Sequence, residues 1–279
     1  MSLGLEHISY AYRVGRDGSV PALCDVSFLV APGELVLVLG ATGSGKSTLM
    51  RLCAGLLPLQ EGSATIDGQP LDLETARGKV GLIFQDAEAQ LFADTLAEDV
   101  AFGPRNLGLS PTDARMRADE ALGAVGLAPD IFSERSPFSL SGGEARRAAI
   151  AGVLAMSPRY LLADEPTAGL DAPGREAVRR LLAQARKRAG VVVVSHAAEE
   201  FLADADRVVM LAEGAIVWSG TAEEAARPEV FETAGLRVPE ILEVQQRALA
   251  CGIPLAGFAF DPAEVARRIA QAVQGGVRT

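Results

Sequence analysis

Gly40-Ala41-Thr42-Gly43-Ser44-Gly45-Lys46-Ser47 is the stretch that decides the fold of this chain. The apolar run Leu35 to Leu39 before it predicts a buried strand, and Thr48 to Ala54 after it predicts a helix. The glycines let backbone N–H groups turn toward one point, where the helix also presents the positive end of its dipole. Lys46 adds a mobile cation, and Ser47 offers a hydroxyl to Mg²⁺. A glycine-rich turn that binds nothing is the alternative, but the flanking elements favour a phosphate-binding loop.

Composition disfavours several classes of protein. The chain has 279 residues, of which 49% are hydrophobic, so it can bury a large core, and its net charge of −10 disfavours non-specific binding of nucleic acid. The three cysteines have no metal-ligand spacing, fit reduced thiols in the cytosol and are expected to fill the core. The N-terminal residues are charged, and the longest nearly apolar stretch, 248–260, is broken by glycine and proline. We therefore expect neither a signal peptide nor a membrane-spanning helix.

The order of the predicted elements indicates an α/β fold. The opening is rich in β-structure, with residues 3–13 and 22–30 predicted as paired strands around a turn at 15–19, and a short strand at 63–66. From residue 79, strands alternate with helices, which implies a parallel sheet covered on both faces. The strands predicted there are 79–84, 160–163 and 191–194, and the helices are 111–126, 141–156, 174–189 and 197–205. Residues 208–211 and 215–218 flank a turn and predict a hairpin.

The pattern changes after about residue 221. Four prolines, Pro228, Pro239, Pro254 and Pro262, separate short helical segments such as 241–250 and 263–273. We predict one domain over residues 1–226 and a small helical extension over 227–279. The extension contains no motif that indicates a chemical role.

Two adjacent carboxylates follow a predicted buried strand. Asp164 and Glu165 come directly after the run Tyr160 to Ala163, and Pro166 then stops the strand. Side chains alternate along a strand, so the two carboxylates point in different directions and can have different roles. Beside a phosphate-binding loop, one suits Mg²⁺ and the other an attacking water. A surface acidic pair at the end of a strand is the alternative.

A second candidate phosphate site opens a later helix at Leu140-Ser141-Gly142-Gly143-Glu144. Ser141 as N-cap with Glu144 three residues later predicts a capping box. That box does not explain Gly142 and Gly143, which weaken a first turn unless a ligand approaches the backbone closely. Two separated phosphate sites in one chain suggest that each nucleotide is shared between two copies.

His196 is one of only two histidines in the chain. It follows the predicted strand 191–194 and Ser195, at the sheet edge where ligands of α/β proteins bind. A helix-start or packing residue is the alternative, and that is the interpretation we give to His7 in the first strand.

Taken together, the loop, the Leu-Ser-Gly-Gly-Glu segment and the run Leu-Leu-Ala-Asp-Glu-Pro-Thr-Ala-Gly-Leu-Asp at 161–171 resemble the nucleotide-binding subunit of an ABC transporter, over roughly residues 3–220. The resemblance implies a P-loop NTPase core with a parallel sheet, an N-terminal antiparallel β-subdomain and a helical signature subdomain at about 86–157. It also implies ATPase activity with ATP and Mg²⁺.

The resemblance gives each site residue a role. Glu165 would position the attacking water, with Lys46, Gln85 and His196 as the other catalytic residues. Mg²⁺ would be held by Ser47, Gln85 and Asp164. The resemblance also implies a set of nucleotide-binding residues. Tyr12 would stack on adenine, and the loop would bind the phosphates through Gly40, Ala41, Thr42, Gly43, Ser44, Gly45, Lys46, Ser47 and Thr48. In a head-to-tail dimer, the partner subunit's ATP would be bound by Ser141, Gly142 and Gly143, and Asp171 would couple the two sites.

Three segments, 85–92, 98–104 and 148–155, resemble more narrowly the ATPases of energy-coupling factor transporters, which import vitamins or cobalt and nickel. This implies a second ATPase subunit, identical or paralogous, a separate substrate-binding membrane subunit, and a peripheral position on the cytoplasmic face of the cell membrane. It also implies an integral membrane scaffold subunit near Gln85 to Phe102, with Gln90, Leu91 and Phe92 as contact candidates. Core packing is the alternative for Leu91 and Phe92. Glu144 departs from the glutamine that is commoner in the signature.

Two other functions are open at this point. A soluble ABC-type ATPase of DNA repair or translation usually brings a long coiled-coil insertion or a second ATPase domain, and the sequence indicates neither. A P-loop kinase acting on a small metabolite would fit the first motif but would leave 140–144 and 164–171 unexplained.

Overall fold

Six strands form the central sheet of the protein. The computed structural model describes residues 1–15, 18–255 and 257–276. The strands lie in the spatial order Ala215–Thr221 (β10), Arg207–Ala212 (β9), Leu35–Gly40 (β3), Gly190–Val194 (β8), Tyr160–Asp164 (β7) and Val80–Ile83 (β6). All are parallel except β10, which pairs antiparallel with β9. Every residue of β3, β7 and β8 is buried, as their apolar runs predict.

Three of these strands end at the same edge of the sheet. Val194 of β8 is in register with Val38 of β3 on one side and with Asp164 of β7 on the other. The segments that follow the three strands therefore meet at one edge. They carry the phosphate-binding loop, the carboxylate pair and His196, which is the position where open α/β sheets bind ligands.

A second sheet lies at the N-terminal side. Leu3–Val14 (β1) and Gly18–Val30 (β2) pair antiparallel, and Ser63–Ile66 (β4) and Gln69–Pro70 (β5) extend the sheet beyond β1. This confirms the predicted antiparallel β-subdomain. Arg16 and Asp17, at the tip of the predicted turn, lie outside the described residues.

The central sheet separates two hydrophobic cores, because side chains alternate along β3. Leu35, Leu37 and Leu39 face a core shared with the helical segments, whereas Val36 and Val38 face a core shared with the N-terminal sheet. Both faces of the sheet are therefore covered, which confirms the α/β class.

Helices fill the connections between the strands. Those between β3 and β7 are Lys46–Cys53 (α1), Leu73–Ala76 (α2), Leu96–Asn106 (α3), Pro111–Ala124 (α4), Pro129–Phe132 (α5) and Gly142–Ala155 (α6). Ala172–Ala185 (α7) connects β7 with β8. Among these helices, α3, α4 and α6 pack against one another and form a helical layer; the bounds of the helical subdomain at about 86–157 stay a prediction. The side chains of Thr95, Ser110, Ser141 and Asp171 cap α3, α4, α6 and α7 by accepting from backbone N–H groups.

Four more helices follow the sheet: Ala222–Ala225 (α8), Pro228–Thr233 (α9), Glu240–Ala250 (α10) and Pro262–Gly276 (α11). Phe231 and Leu242 are fully buried in the same core as Leu35. The C-terminal helices thus pack on the main core, and the division at residue 226 stays a prediction.

Several expectations are wrong. Residues 197–205 do not form a helix: only Ala198–Glu200 makes a short 3-10 turn, and the consecutive residues Phe201 and Leu202 are both fully buried. Turn-forming hydrogen bonds run from the N–H groups of Phe201 and Leu202 to the carbonyl of Ala198. Conversely, α3 has no counterpart among the predicted helices, because Gly103 and Pro104 interrupt its pattern.

Two minor interpretations also need correction. Of the cysteines, only Cys53 is buried, whereas Cys24 and Cys251 are exposed. His7 is an exposed residue rather than a packing residue, and its Nδ1 lies 2.8 Å from Oδ1 of Asp25. Both His7 and Asp25 have positive φ, at an irregularity in the pairing of β1 with β2.

Candidate functional site

The phosphate-binding loop needs glycine at two positions for steric reasons. A Cβ on Gly40, the last residue of β3, would lie 2.4 Å from Oγ of Ser44 and 2.5 Å from the carbonyl oxygen of Leu211. Gly45 has a φ of 105°, and a Cβ there would lie 2.5 Å from the carbonyl oxygen of Ala22. Any side chain at either position would therefore collide with the backbone of a strand that packs against the loop, Leu211 of β9 or Ala22 of β2.

Lys46 is held inside the loop. Its side chain is 9% exposed, and its Nζ donates to the carbonyl oxygens of Gly40 at 2.7 Å and Ala41 at 2.8 Å. An ammonium group has three donors, so one is left for a ligand. Burial lowers the pKa of Lys46, while the nearby carboxylates of Glu165 and Asp164 act in the opposite direction. The loop is therefore already shaped around a cation that can bind an anion.

The N-terminus of α1 has no side-chain cap. Its N-cap residue is Gly45, in the left-handed conformation, and no side-chain hydrogen bond caps this end. The Oγ of Ser44 is also buried without a hydrogen-bond partner among the described residues. Uncapped N–H groups at the positive end of a helix form an anion site.

Asp164, Ser47 and Gln85 line one cavity of about 500 Å³ next to the loop. Burial raises the pKa of Asp164, and a hydrogen bond from Ser47 and the charge of Lys46 oppose this shift. A hydroxyl, a carboxylate and an amide supply the hard oxygen ligands that Mg²⁺ prefers. In the described part of the chain, no group of three or more His, Cys, Asp or Glu side chains could hold a metal ion alone. These residues fit a Mg²⁺ that also takes phosphate oxygens and water as ligands.

The side chains of Glu165 and His196 are in contact at the ends of adjacent strands. Oε2 of Glu165 lies 2.8 Å from Nδ1 of His196. Glu165 has a φ of 49°, which is uncommon for a residue other than glycine, and its N–H donates to the carbonyl of Val194 at 2.9 Å. Backbone strain of this kind is found at functional sites, where the surrounding structure holds it in place. The strand β7 ends at Asp164, so Glu165 lies just beyond it.

Gln85, just after β6, connects to these residues through its backbone. Its carbonyl oxygen accepts from the guanidinium of Arg146 on α6, which also donates to the carbonyls of Ala168 and, at 3.2 Å, Glu165. The sequence argument gave Arg146 no role. The available signal was the helical spacing that places Arg146 on the buried side of α6 with Ala149, Ile150 and Val153.

The signature segment and Asp171 are not brought to the loop of their own chain. Ser141 and Glu144 form the predicted capping box, in which the N–H and Oγ of Ser141 lie 2.9 Å and 2.8 Å from Oε2 of Glu144. Asp171 is the N-cap of α7 and accepts from the N–H of Gly174 at 2.9 Å. Ser141, Gly142 and Asp171 are exposed, so a second molecule could reach them.

Tyr12 lies on β1 beside the loop. Its hydroxyl is 3.3 Å from Oγ1 of Thr48 in the first turn of α1, and its ring packs edge-on against Tyr10. The ring is half-buried, so part of it is open to a ligand at the loop.

The family model described as "ABC transporter" matches residues 23–168, which is more than half of the chain and includes the loop, the signature segment and the carboxylate pair. The chain belongs to the ABC transporter family. This confirms the resemblance to ABC transporter subunits that the motifs predict, and it confirms that the chain is an ABC-type ATPase.

The relatives of this ABC ATPase carry a narrower name. It is 39% identical to the energy-coupling factor transporter ATP-binding protein EcfA2 of Lacticaseibacillus paracasei over 100% of both chains. The protein of the same name in Symbiobacterium thermophilum is 43% identical over 99% of this chain and 96% of its own. These matches cover nearly the full length of this chain and of each relative. They confirm the resemblance to energy-coupling factor ATPases.

Solved structures agree with this fold. The cbiO1 protein of Clostridium perfringens, described as part of the ABC transporter complex cbiONQ, has a TM-score of 0.72 and 32% identity over 88% of this chain and 98% of its own. The ATP-binding cassette MJ0796, solved as a dimer in a post-hydrolysis state with ADP and Pi, also has a TM-score of 0.72, with 29% identity over 79% of this chain and 98% of its own.

The ABC ATPase also has an apolar groove beside the Gln85 segment. Phe92 is 57% exposed and Phe102 is 48% exposed, and their ring centroids are 4.8 Å apart, edge to face. They line a cavity of about 290 Å³ together with Arg77, Gln90 and Met156. Leu91 is instead buried in the core, so core packing explains Leu91 but not Phe92. No helix in the described ranges is both long and apolar enough to cross a bilayer.

Proposed function

We propose that this chain hydrolyses ATP to power an energy-coupling factor importer for a vitamin or for cobalt or nickel. The observation that carries the proposal is the pairing of Glu165 with His196 beside the loop that holds Lys46. The near full-length likeness to ATP-binding proteins of energy-coupling factor transporters supports a transporter rather than a soluble ATPase.

Glu165 is the residue that orients and deprotonates the attacking water in this proposal. The water oxygen bonds to the γ-phosphorus, the bond from that phosphorus to the bridging oxygen breaks, and the proton passes to the carboxylate of Glu165. His196 fixes the carboxylate through the 2.8 Å contact. Lys46 and the N-terminus of α1 bind the phosphate oxygens.

Ser47, Gln85 and Asp164 would hold Mg²⁺ in the cavity that they line. When bound, this ion supplies positive charge that offsets the charge of the phosphate oxygens. The burial that raises the pKa of Asp164 makes a cation favourable beside that carboxylate.

A second ATPase subunit completes each site in this proposal. Ser141 at the start of α6 and Asp171 at the start of α7 are exposed, and Gly143 is half-buried beside Ser141, so a neighbouring chain could reach this part of the surface. In a head-to-tail dimer, the first turn of α6 in one chain would bind the γ-phosphate held by the loop of the other. ATP would thus link two chains, and hydrolysis would release them. The partner is identical or paralogous.

The groove around Phe92 and Phe102 is the proposed contact for an integral membrane scaffold subunit. Two large apolar side chains are about half exposed there, and the groove is continuous with the segment that follows Gln85. A helix of the scaffold that presents apolar residues would cover both rings. This contact would hold the chain at the cytoplasmic face of the cell membrane, and a separate membrane subunit would bind the substrate.

Co-purification tests the transporter part of this proposal. The chain is expressed with the scaffold and substrate-binding subunits of an energy-coupling factor transporter, and the membrane fraction is solubilised and captured through the scaffold subunit. We expect the wild-type chain to be retained, Phe92→Asp to be lost, and Met116→Asp to be retained, because Met116 is similarly exposed but lies on α4 outside the groove. Retention of Phe92→Asp at the wild-type level would contradict the proposed contact.

A further inference from the structure

Arg146 is a buried cation without a carboxylate partner. Its side chain is 6% exposed, although arginine is rarely buried unless it is paired. Among the described residues, no ion pair to Asp or Glu includes it. Its Nε is buried without a hydrogen-bond partner there. Burying a charge is costly, so the position demands an explanation beyond packing.

The partners of Arg146 are three backbone carbonyls from two segments of the nucleotide site. Nη2 donates to the carbonyls of Gln85 and Glu165, and Nη1 donates to the carbonyl of Ala168. Gln85 lies at the Mg²⁺ cavity, Glu165 carries the water-activating carboxylate, and Ala168 lies three residues before Asp171. One side chain of α6 therefore ties the signature helix to both segments.

The planar guanidinium suits this arrangement for a geometric reason. Its N–H donors spread in a fixed fork, so it can reach carbonyls that lie on different sides. The ammonium of lysine is a compact point charge on a flexible stem and cannot span the same three acceptors. If the guanidinium were replaced, these backbone carbonyls would also lose a hydrogen-bond donor. Buried backbone carbonyls rarely lack one.

We propose that Arg146 is a positioning residue that keeps Gln85 and Glu165 in their reactive arrangement when the signature helix engages ATP. The inference rests on the proposed function and deepens it. Movement of α6 toward the partner's nucleotide pulls, through Arg146, on the backbone of Gln85 and Glu165. The amide of Gln85 and the carboxylate of Glu165 thus become productive only when α6 is docked, which links hydrolysis to dimer closure.

Three variants test this inference in the full chain, assembled with the ATPase partner that gives wild-type turnover. Arg146→Lys keeps the positive charge, and Arg146→Gln keeps two N–H donors without the charge. Arg146→Ala removes the charge and all the side-chain donors. Arg117→Gln is the matched control, because Arg117 is an exposed arginine of the same helical layer, and its guanidinium donates to Oγ of Ser157 at 2.8 Å. For each variant we measure the melting temperature, the Kd for ATP, and the kcat of hydrolysis.

We expect all three Arg146 variants to bind ATP within about threefold of the wild type, because the loop is untouched. Their kcat should fall by on the order of 10²-fold, as for a small misplacement of a catalytic group. Methylguanidinium added to Arg146→Ala should restore part of the kcat, whereas it should not change Arg117→Gln. Partial rescue by the missing donor distinguishes positioning from a loss of stability.

Three results would overturn the inference: a kcat of Arg146→Lys within about threefold of the wild type, a loss of ATP affinity equal to the loss of kcat, or failure of all three variants to fold. The last would assign Arg146 to stability alone. Glu165→Gln in the same assay separates this test from the proposed function. If Glu165→Gln hydrolyses normally, the proposed function fails; if it is inactive while Arg146→Lys is active, only the inference fails.

Discussion

Nδ1 of His196 lies 2.8 Å from Oε2 of Glu165, and the two side chains differ sharply in exposure: 73% for the histidine and 11% for the carboxylate. The carboxylate of Glu165 is therefore buried, and the exposed imidazole of His196 lies between it and the solvent. In the proposed function, His196 both holds Glu165 and contacts the phosphate of the bound nucleotide.

His196→Ala tests that relationship. Removal of the imidazole leaves Glu165 without its partner, so we expect the kcat of ATP hydrolysis to fall by on the order of 10²-fold, with ATP affinity changed by only a few fold. His7→Ala is the matched control, because His7 also lies 2.8 Å from a carboxylate, Oδ1 of Asp25, but both side chains of that pair are exposed. Steady-state hydrolysis with purified variants measures both effects. Equal rates for His196→Ala and His7→Ala would contradict the role of His196.

Gly40→Ala tests the steric requirement of the loop. A Cβ there would overlap Oγ of Ser44 and the carbonyl of Leu211, so we expect loss of nucleotide binding and a free energy of unfolding lowered by about 1–3 kcal/mol. Gly123→Ala in α4 is the control: a Cβ there meets nothing within 4 Å, and alanine in a helix should raise stability by about 0.5–1 kcal/mol. Chemical denaturation and binding of a fluorescent ATP analogue measure the two quantities. Wild-type nucleotide binding by Gly40→Ala would show that the loop geometry is wrong.

The thiol of Cys53 gives a prediction about pH. Burial raises its pKa to about 12, compared with about 8.5 for an exposed thiol. The unfolded chain therefore releases this proton first, so stability should fall as pH rises from about 8.5 toward 12, and Cys53→Ala should lack that part of the dependence.

Thiol reactivity measures the burial of Cys53 directly. At pH 8, an aromatic disulfide reagent should modify two thiols quickly, those of Cys24 and Cys251, and the third only after unfolding. Three fast thiols in the native chain would mean that Cys53 is not buried in the core. Cys53→Ala serves as the control and should show two fast thiols and no slow one.

Contiguous motifs made the centre of this site predictable from the sequence. The loop, the capping box of Ser141 and Glu144, and the carboxylate pair each depend on residues that are neighbours in the chain. Strand alternation did not predict the positive φ of Glu165, which lies just beyond the end of β7. The ends of β3, β7 and β8 follow from the rule that parallel strands bring their carboxyl ends to one edge.

Other features depend on contacts between distant residues. The partners of Arg146 lie 61, 19 and 22 residues away in the sequence, so no local pattern identifies them. The segment after His196 has helix-forming residues, but the Glu200 carboxylate accepts from Thr167 and the Glu199 carboxylate accepts from the N–H of Glu240. Tertiary contacts of this kind override helix propensity at 197–205.

The central claim is that ATP links two chains until Glu165 supports its hydrolysis. The most direct measurement is the nucleotide content of the complex that Glu165→Gln forms with its ATPase partner, isolated by size-exclusion chromatography after incubation with ATP and Mg²⁺. We predict a stable two-subunit species that contains intact ATP. A species that contains only ADP, formed at the wild-type rate, would contradict the account.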